Sequence, residues 1–595
     1  MDKVKIAIID SGVKKYHSAW DVQPQGFTYK NGIMYNEFED EFGHGTAVYN
    51  IIRKNTRESE ITNIKLDGIN AGVSEDELIS VLNYIYINLN FDIINLSLGI
   101  NVCERLNDLR NICGKLDKKG TIIVSAFDNA GAISYPAAIE SVIGVTESNM
   151  CRNFNEFEYI DDNMVNIAVR NSIQRLAWIG PDYIMMGGNS FSCAYITAYI
   201  ADCIEKGIRG RCQILEQCRR DALNIITLKK EEVKKRLQFS INRAAVFPFN
   251  KEMHSMVRFS EFLSFSIADV YDSKYSGQVG ATTKQILKGG SESNFEIKNI
   301  DNIAWNTFDT LILGHTDRLS ALTDHHGMKQ EIIDSAVLHN KNIYALDDVS
   351  MFFKDSRLPN NVFFPCIDEQ CLPPNRFGKL YRNAKPVLGI FGTSSQQGKF
   401  TLQLMLRYAL LNCGYSVGQI GTEPTALLYG MDYVFPMGYN PTVSVYDNDI
   451  VRYLNSAING LSDNDIILVG SQSGTIPYDT GNIIFYNIQQ YNFLMGCQPD
   501  AAILCINSYD DFEYVSRTIS FIESSVDGKV IALVVFPMTL KNFASGVYGG
   551  KRTLRSEEFN VLRDKYVEEM RLPVFRLDDE KLMDCLLEII MDFFS

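Results

Sequence analysis

Residues 187–198 read Gly187-Gly188-Asn189-Ser190-Phe191-Ser192-Cys193-Ala194-Tyr195-Ile196-Thr197-Ala198. Two glycines and an asparagine ahead of small and apolar residues predict a tight turn opening a buried helix. Ser190 then sits at or just before the first turn. A hydroxyl there lies beside unpaired backbone N–H groups and the positive end of a helix dipole, which favours negative charge developing nearby. That suits a nucleophilic serine, which still needs a base and a carboxylate to orient the base. A lone Gly-x-Ser reads better as a helix N-cap. The residues upstream change the balance.

Lys5-Ile6-Ala7-Ile8-Ile9 is an apolar run ending in Asp10-Ser11-Gly12. It predicts a buried parallel strand that delivers a carboxylate to its C-terminal end, the edge where open α/β sheets bind ligands. Glu41-Phe42-Gly43-His44-Gly45-Thr46-Ala47-Val48 places an imidazole at a close-packed helix start. Phe91–Gly99 and Thr121–Ala126 read as two further buried strands. The second runs into Phe127-Asp128-Asn129-Ala130-Gly131, and another strand is expected at Val142–Val145.

Asp-Ser-Gly, Gly-His-Gly-Thr, the strand leading to Asn129 and Gly-x-Ser before a small-residue helix, in this order, resemble the subtilisin-like serine proteases over residues 1–205. The resemblance implies that Ser190 attacks the scissile carbonyl and His44 takes its proton. Asp10 would hold the imidazole, and the Asn129 side-chain amide would serve the oxyanion. It also implies that Ser97-Leu98-Gly99 pairs with the substrate backbone as an added strand. The chain departs from the family at Gly188-Asn189-Ser190-Phe191-Ser192-Cys193-Ala194, which lacks the usual Thr and Pro. Asp128 is an unexpected charge next to Asn129; pointing inward, it would oppose catalysis. No room precedes Asp10 for an inhibitory propeptide, which fits an enzyme made directly in its mature form.

At 595 residues the chain exceeds one ordinary core and implies two to four domains. The net charge of −15 argues against a general nucleic-acid or anionic-membrane partner. No secretion signal or bilayer-spanning run is evident, and no metal site is expected. Thirteen scattered cysteines without a CxxC pair suit a reducing cytoplasm. Asp324-His325-His326, the one dense histidine cluster, reads as a polar loop. Charged amphipathic helices at Gln213–Arg220 and Lys229–Leu237 are expected to close a first domain over 1–240.

A second domain, 241–384, is expected to be a Rossmann-like α/β layer. Its strands fall at Ala244–Phe249, Ile267–Tyr271, Thr310–Gly314 and Asn342–Leu346, its helices at Met253–Leu263 and Met328–His339, and a linker at 355–384. It carries no glycine fingerprint for a dinucleotide, and Gly314-His315-Thr316-Asp317 reads as an ordinary loop. A third domain, 385–595, opens with the strand Pro386–Phe391, then Gly392-Thr393-Ser394-Ser395-Gln396-Gln397-Gly398-Lys399-Phe400-Thr401 and a helix over Leu402–Leu411. Strand, Gly-rich loop, lysine, hydroxyl and helix are the context of a phosphate-binding loop. Gly392, Thr393, Gly398, Lys399 and Thr401 are the candidate nucleotide contacts, with Mg²⁺ at the hydroxyl. One extra residue separates the glycines, and Phe400 fills the usual Ser/Thr place; a turn without ligand is the competing reading.

The variant resembles dethiobiotin-synthetase-like P-loop proteins and the DUF1611 family, which also places a Rossmann-like domain before its P-loop domain. In that family's later Glu-Gly-Gln-Gly segment the acid is Gly470 here, which argues against metal-assisted hydrolysis. The expected fold is thus α/β throughout: a subtilisin-like parallel sheet, a Rossmann-like domain and a P-loop domain. The fusion resembles proteases that mature ribosomally made natural-product peptides. It implies a cytoplasmic endopeptidase acting on a precursor peptide, needing no cofactor for the cut itself. A general intracellular protease with a nucleotide-gated brake and a non-catalytic peptide-binding scaffold stay open, as does a homo-oligomer.

Overall fold

The computed structural model describes residues 3–30, 32–56, 58–66, 73–229, 235–287, 293–323, 327–354, 357–540 and 551–595. They divide into two compact units, Met1–Glu231 with Pro373–Ala384, and Glu232–Leu372 with Lys385–Ser595. The architecture is α/β in both.

The first unit is built on a ten-stranded sheet. From one edge its order is Asn224–Thr227, Phe157–Asp161, Ile167–Arg170, Val142–Ser148, Ile122–Ala126, Ile93–Leu96, Lys5–Asp10, Glu60–Leu66, Gln25–Lys30 and Ile33–Tyr35. The central strands are parallel and buried on both faces, so Ile6-Ala7-Ile8-Ile9 and Ile122-Ile123-Val124 are continuous apolar runs. Helices His44–Asn55 and Asn189–Glu205 pack on one face, and Glu75–Asn88 and Leu106–Lys119 on the other. The seventeen residues of Asn189–Glu205 contain no breaker and twelve are buried, with Tyr195, Tyr199 and Asp202 along one partly exposed stripe, so packing holds most of this helix. The expected helix at Gln213–Arg220 runs Arg211–Asp221. The one expected at Lys229–Leu237 lies largely outside the described residues; 235–237 have no regular structure. Edge strand Asn224–Thr227 closes the sheet instead.

The second unit contains two parallel sheets. The first has six strands in the order Ile297–Asn299, Ser266–Asp272, Arg243–Phe247, Thr310–Leu313, Asn342–Ala345, Val362–Phe363. Numbered along the chain this is 3-2-1-4-5-6, the doubly wound arrangement. The second sheet has seven strands: Tyr433–Val434, Val417–Gly421, Ile466–Gly470, Val387–Gly392, Ala501–Ile506, Lys529–Val535 and Val574–Arg576. One apolar cluster joins the two, with Val246, Met253 and Tyr344 beside Leu404, Ala426 and Tyr429. The buried Tyr344 hydroxyl donates to the Pro424 carbonyl at 2.7 Å.

The stretch read as linker is divided. Pro373–Ala384 belongs to the first unit. Arg376 pairs with buried Asp162 at 3.1 Å, and Ile133 N–H donates to the Leu380 carbonyl at 2.9 Å. Asp324-His325-His326 lies outside the described residues.

Candidate active site and phosphate-loop cleft

Asp10 is the last residue of its strand and is buried. Its Oδ1 accepts the Ser11 N–H at 2.7 Å, and His44 Nδ1 lies 2.8 Å from Oδ1 and 3.1 Å from Oδ2. That bond assigns the Nδ1 proton and directs Nε2 away from the carboxylate. His44 opens its helix, capped by Gly43 at φ 104°, a backbone conformation that favours glycine. A Cβ on Gly43 would also meet the Trp178 ring at 2.3 Å.

Sequence reasoning missed Asp40. This buried carboxylate accepts the N–H groups of Phe42, Gly43 and Thr46 and the Thr46 hydroxyl, so it satisfies the start of the His44 helix. Its signal was an acidic residue just ahead of a helix start. Burial pushes the His44 imidazole down, but Asp10 by charge and hydrogen bond, and Asp40 by charge, leave its pKa raised above 6.5.

Ser190 lies in the first turn of Asn189–Glu205 and is half-buried. Its hydroxyl donates to the Ser97 carbonyl at 2.9 Å, and the Ser97 hydroxyl donates to the Ser190 carbonyl at 2.8 Å. Buried Asn95 accepts from Ser97 at 3.1 Å and donates to Thr197 at 2.8 Å, tying strand Ile93–Leu96 to the serine helix. Its signal was a polar residue inside the apolar run Ile93-Ile94-Asn95-Leu96. Ser97 is buried, Leu98 half-buried and Gly99 exposed, so the segment emerges to an accessible edge at its Leu98-Gly99 end.

Asn129 is exposed, and its Oδ1 accepts the Asn189 N–H at 2.8 Å, which leaves Nδ2 as its donor. The neighbouring Asp128 carboxylate caps its own turn by accepting the Ala130 N–H at 2.8 Å.

In the second unit, Gly392 ends its strand, and Lys399 opens the helix Lys399–Asn412 behind Gly398 at φ 81°. The buried Lys399 ammonium donates to the carbonyls of Ser394 at 2.6 Å and Ser473 at 2.9 Å. Burial pushes it down to about 8, against the pull of Cys505 and Glu423. Gly398, Lys399 and Thr401 line a cleft of about 340 Å³.

Gly392 and Thr393 do not line the cleft. The Thr393 hydroxyl donates to Asp510 and accepts from Gln397 Nε2 at 2.6 Å, so it braces the base of the loop. Gln397 Oε1 takes the Ser394 N–H at 3.0 Å. At Gly470 a Cβ would meet Gln403 Oε1 at 2.2 Å; the Gln403 amide fills the space that an acidic side chain would need. His315, read as part of a plain loop, lines the same cleft, its Nδ1 2.5 Å from Asp347 Oδ1.

A strand-borne aspartate, a helix-borne histidine and a helix-borne serine are carried by one sheet and its helices. Residues 1–209 match the Subtilase family, and residues 377–580 match the domain of unknown function DUF1611_C, a P-loop domain. The chain therefore carries a subtilase-family domain at its N-terminal end and a DUF1611 P-loop domain toward its C-terminal end.

Two Bacillus subtilis (strain 168) proteins are similar. The minor extracellular protease Epr is 24% identical over 242 residues, 38% of this chain and 36% of that protein. The major intracellular serine protease is 29% identical over 176 residues, 26% of this chain and 54% of its own length. The chain thus spans less than two thirds of either relative. Among solved structures, a DUF1611 family protein from Anabaena variabilis aligns at TM-score 0.42 and 13% identity, over 59% of this chain and 99% of that one. A lanthipeptide protease aligns at TM-score 0.31 and 17% identity, over 37% and 80%. Among the described residues no helix is long and apolar enough to cross a membrane.

Proposed function

We propose that the chain is a serine endopeptidase in which Ser190 is the nucleophile, His44 the base, Asp10 its orienting carboxylate and Asn129 the oxyanion donor. The bond from Asp10 to His44 Nδ1, on the same sheet edge as Ser190, carries this reading. A substrate strand would pair along Ser97-Leu98-Gly99. Its N–H would compete for the Ser97 carbonyl, and the freed Ser190 hydroxyl turns about χ1 toward His44 Nε2. Attack forms the tetrahedral intermediate, whose oxyanion takes the Asn129 Nδ2–H. His44 then protonates the leaving amine, and water releases the acyl group by the reverse path.

The substrate we infer is a ribosomally made precursor peptide, cut in the cytoplasm. The reading rests on the fusion of the subtilase domain with a P-loop module that binds nucleotide or substrate. Thirteen free cysteines support a reducing compartment. Cleavage of one precursor but not casein would support maturation; broad casein cleavage would support the general protease with a nucleotide brake.

A fluorophosphonate probe tests the nucleophile, applied to the full chain with and without ATP and Mg²⁺. Wild type should be labelled and Ser190→Ala should not. One observation favours a non-catalytic peptide scaffold instead: the Ser190 hydroxyl bonds Ser97. Absence of labelling in every condition would favour that scaffold.

A further inference from the structure

The cleft of the second unit has two walls. One is the loop before helix Lys399–Asn412. The other is the crevice of the six-stranded sheet at its order reversal, where Arg243–Phe247 lies between Ser266–Asp272 and Thr310–Leu313. Open α/β sheets bind ligands at such crevices. Strand Arg243–Phe247 leads into helix Lys251–Arg258, and Thr310–Leu313 leads into His315.

Lys251, His254, Ser255 and Arg258 all line the cleft. Their i, i+3, i+4, i+7 spacing puts them on one helical face. That face opposes a further cation, Lys399. Arg258 Nε and His254 Nε2 are buried without a hydrogen-bond partner among the described residues, which points to a ligand acceptor. His315 is held rigidly: Asp347 takes its Nδ1, and Lys329 donates to the other Asp347 oxygen at 2.8 Å. Burial disfavours the Asp347 charge, but His315 and Lys329 more than offset it and hold the carboxyl down to about 2. With Nδ1 engaged, Nε2 is the nitrogen His315 can offer to the cleft.

Two carboxylates share the cleft. Glu252 pairs through Oε1 with Lys251 at 3.2 Å, and its Oε2 is buried with no partner among the described residues. Glu423 lines the same cleft. A polyanion beside them requires a cation between. Mg²⁺ meets that need with one or two carboxylates, since it keeps its waters and the phosphate oxygens as other ligands.

We propose that the Rossmann-like half completes a magnesium–nucleoside triphosphate site, with Lys251, Arg258 and His315 taking the terminal phosphate and Glu252 and Glu423 facing the ion. The inner phosphates lie on the loop at Gly398 and Lys399, so this rests on reading that loop as a phosphate site. Glu423 then stands in for the acid missing at Gly470.

Titration of the full chain with N-methylanthraniloyl-ATP and the corresponding ADP, with Mg²⁺ or with EDTA, tests this. Wild type should bind the triphosphate more tightly and only with Mg²⁺. Arg258→Ala and His315→Asn should each weaken the triphosphate about tenfold, as expected for a lost charge-assisted hydrogen bond. Both should leave the diphosphate unchanged, which also shows that they fold. Glu423→Gln should abolish the advantage given by Mg²⁺. Lys399→Ala should lose both nucleotides. If only Lys399→Ala weakens binding, the loop reading stands and the second wall is overturned. Tight binding in EDTA overturns the ion. No binding by wild type overturns the loop reading and the proposal together.

Discussion

The histidine of the candidate triad is surrounded by more carboxylate than a simple dyad supplies. Asp10 bonds its Nδ1, and Asp40 adds charge from beneath the first turn. Both favour imidazolium, so the base form is lost as pH falls through a value above 6.5. The second-order rate of fluorophosphonate labelling should therefore show an acid limb above 6.5. Asp40→Asn should move that limb down, because one raising charge is gone. The same change removes an acceptor of helix N–H groups and should cost about 1 kcal/mol in a urea melt. Asn129→Ala should lower kcat by about 10²–10³ on a peptide substrate, the usual effect of losing one oxyanion donor. A smaller loss would mean that Asn129 Nδ2 does not reach the oxyanion. The Asp128 carboxylate is occupied by its own turn.

At the scale of elements, strands buried on both faces were legible because a parallel strand is apolar throughout. Lys5–Asp10 and Thr121–Ala126 are expected and observed within a residue. Helix starts were legible where glycine precedes them, at Gly43 and Gly188; the helix behind Gly398 was expected from Leu402 and begins three residues earlier, at Lys399. The edge strand Asn224–Thr227 was not, since it is mostly exposed and carries no strong pattern. Nor was the pairing of Gly470 with Gln403, sixty-seven positions apart in the chain. Gly470→Ala should destabilise the second unit by about 1–3 kcal/mol, because its Cβ overlaps the Gln403 amide. Adding Gln403→Ala should recover much of that loss in a double-mutant cycle. If the two losses simply add, the amide does not occupy that space.

At the scale of the whole molecule, the chain leaves the second unit after Leu372, docks Pro373–Ala384 on the first, and returns at Lys385. Eight residues beyond Ala384 lies Gly392, where the phosphate loop begins. The docked segment bonds Ile133 and places Lys379 over the Phe127 ring at 5.7 Å; these two residues flank Asn129. Burial lowers the Lys379 ammonium, with Glu147 and Asp128 opposing. Arg376→Ala leaves the buried Asp162 carboxylate unpaired and should destabilise the first unit by about 3–5 kcal/mol. A melt of the Ser190→Ala background, free of self-cleavage, measures this; an unchanged midpoint would show that the pair does not hold the segment.

The sequence by itself determined the α/β class, the two family resemblances and the identity of Asp10, His44, Asn129, Ser190 and Lys399 as candidates. Each sits at a strand end or helix start, where local pattern is strongest. Tertiary structure alone decided that Asp40 supports His44, that Thr393 braces its loop through Asp510, and that His315, Arg258 and Glu423 share a cleft with Lys399. These depend on which strand ends lie side by side. Hydrophobic periodicity reports whether a strand is buried and is silent on its neighbours.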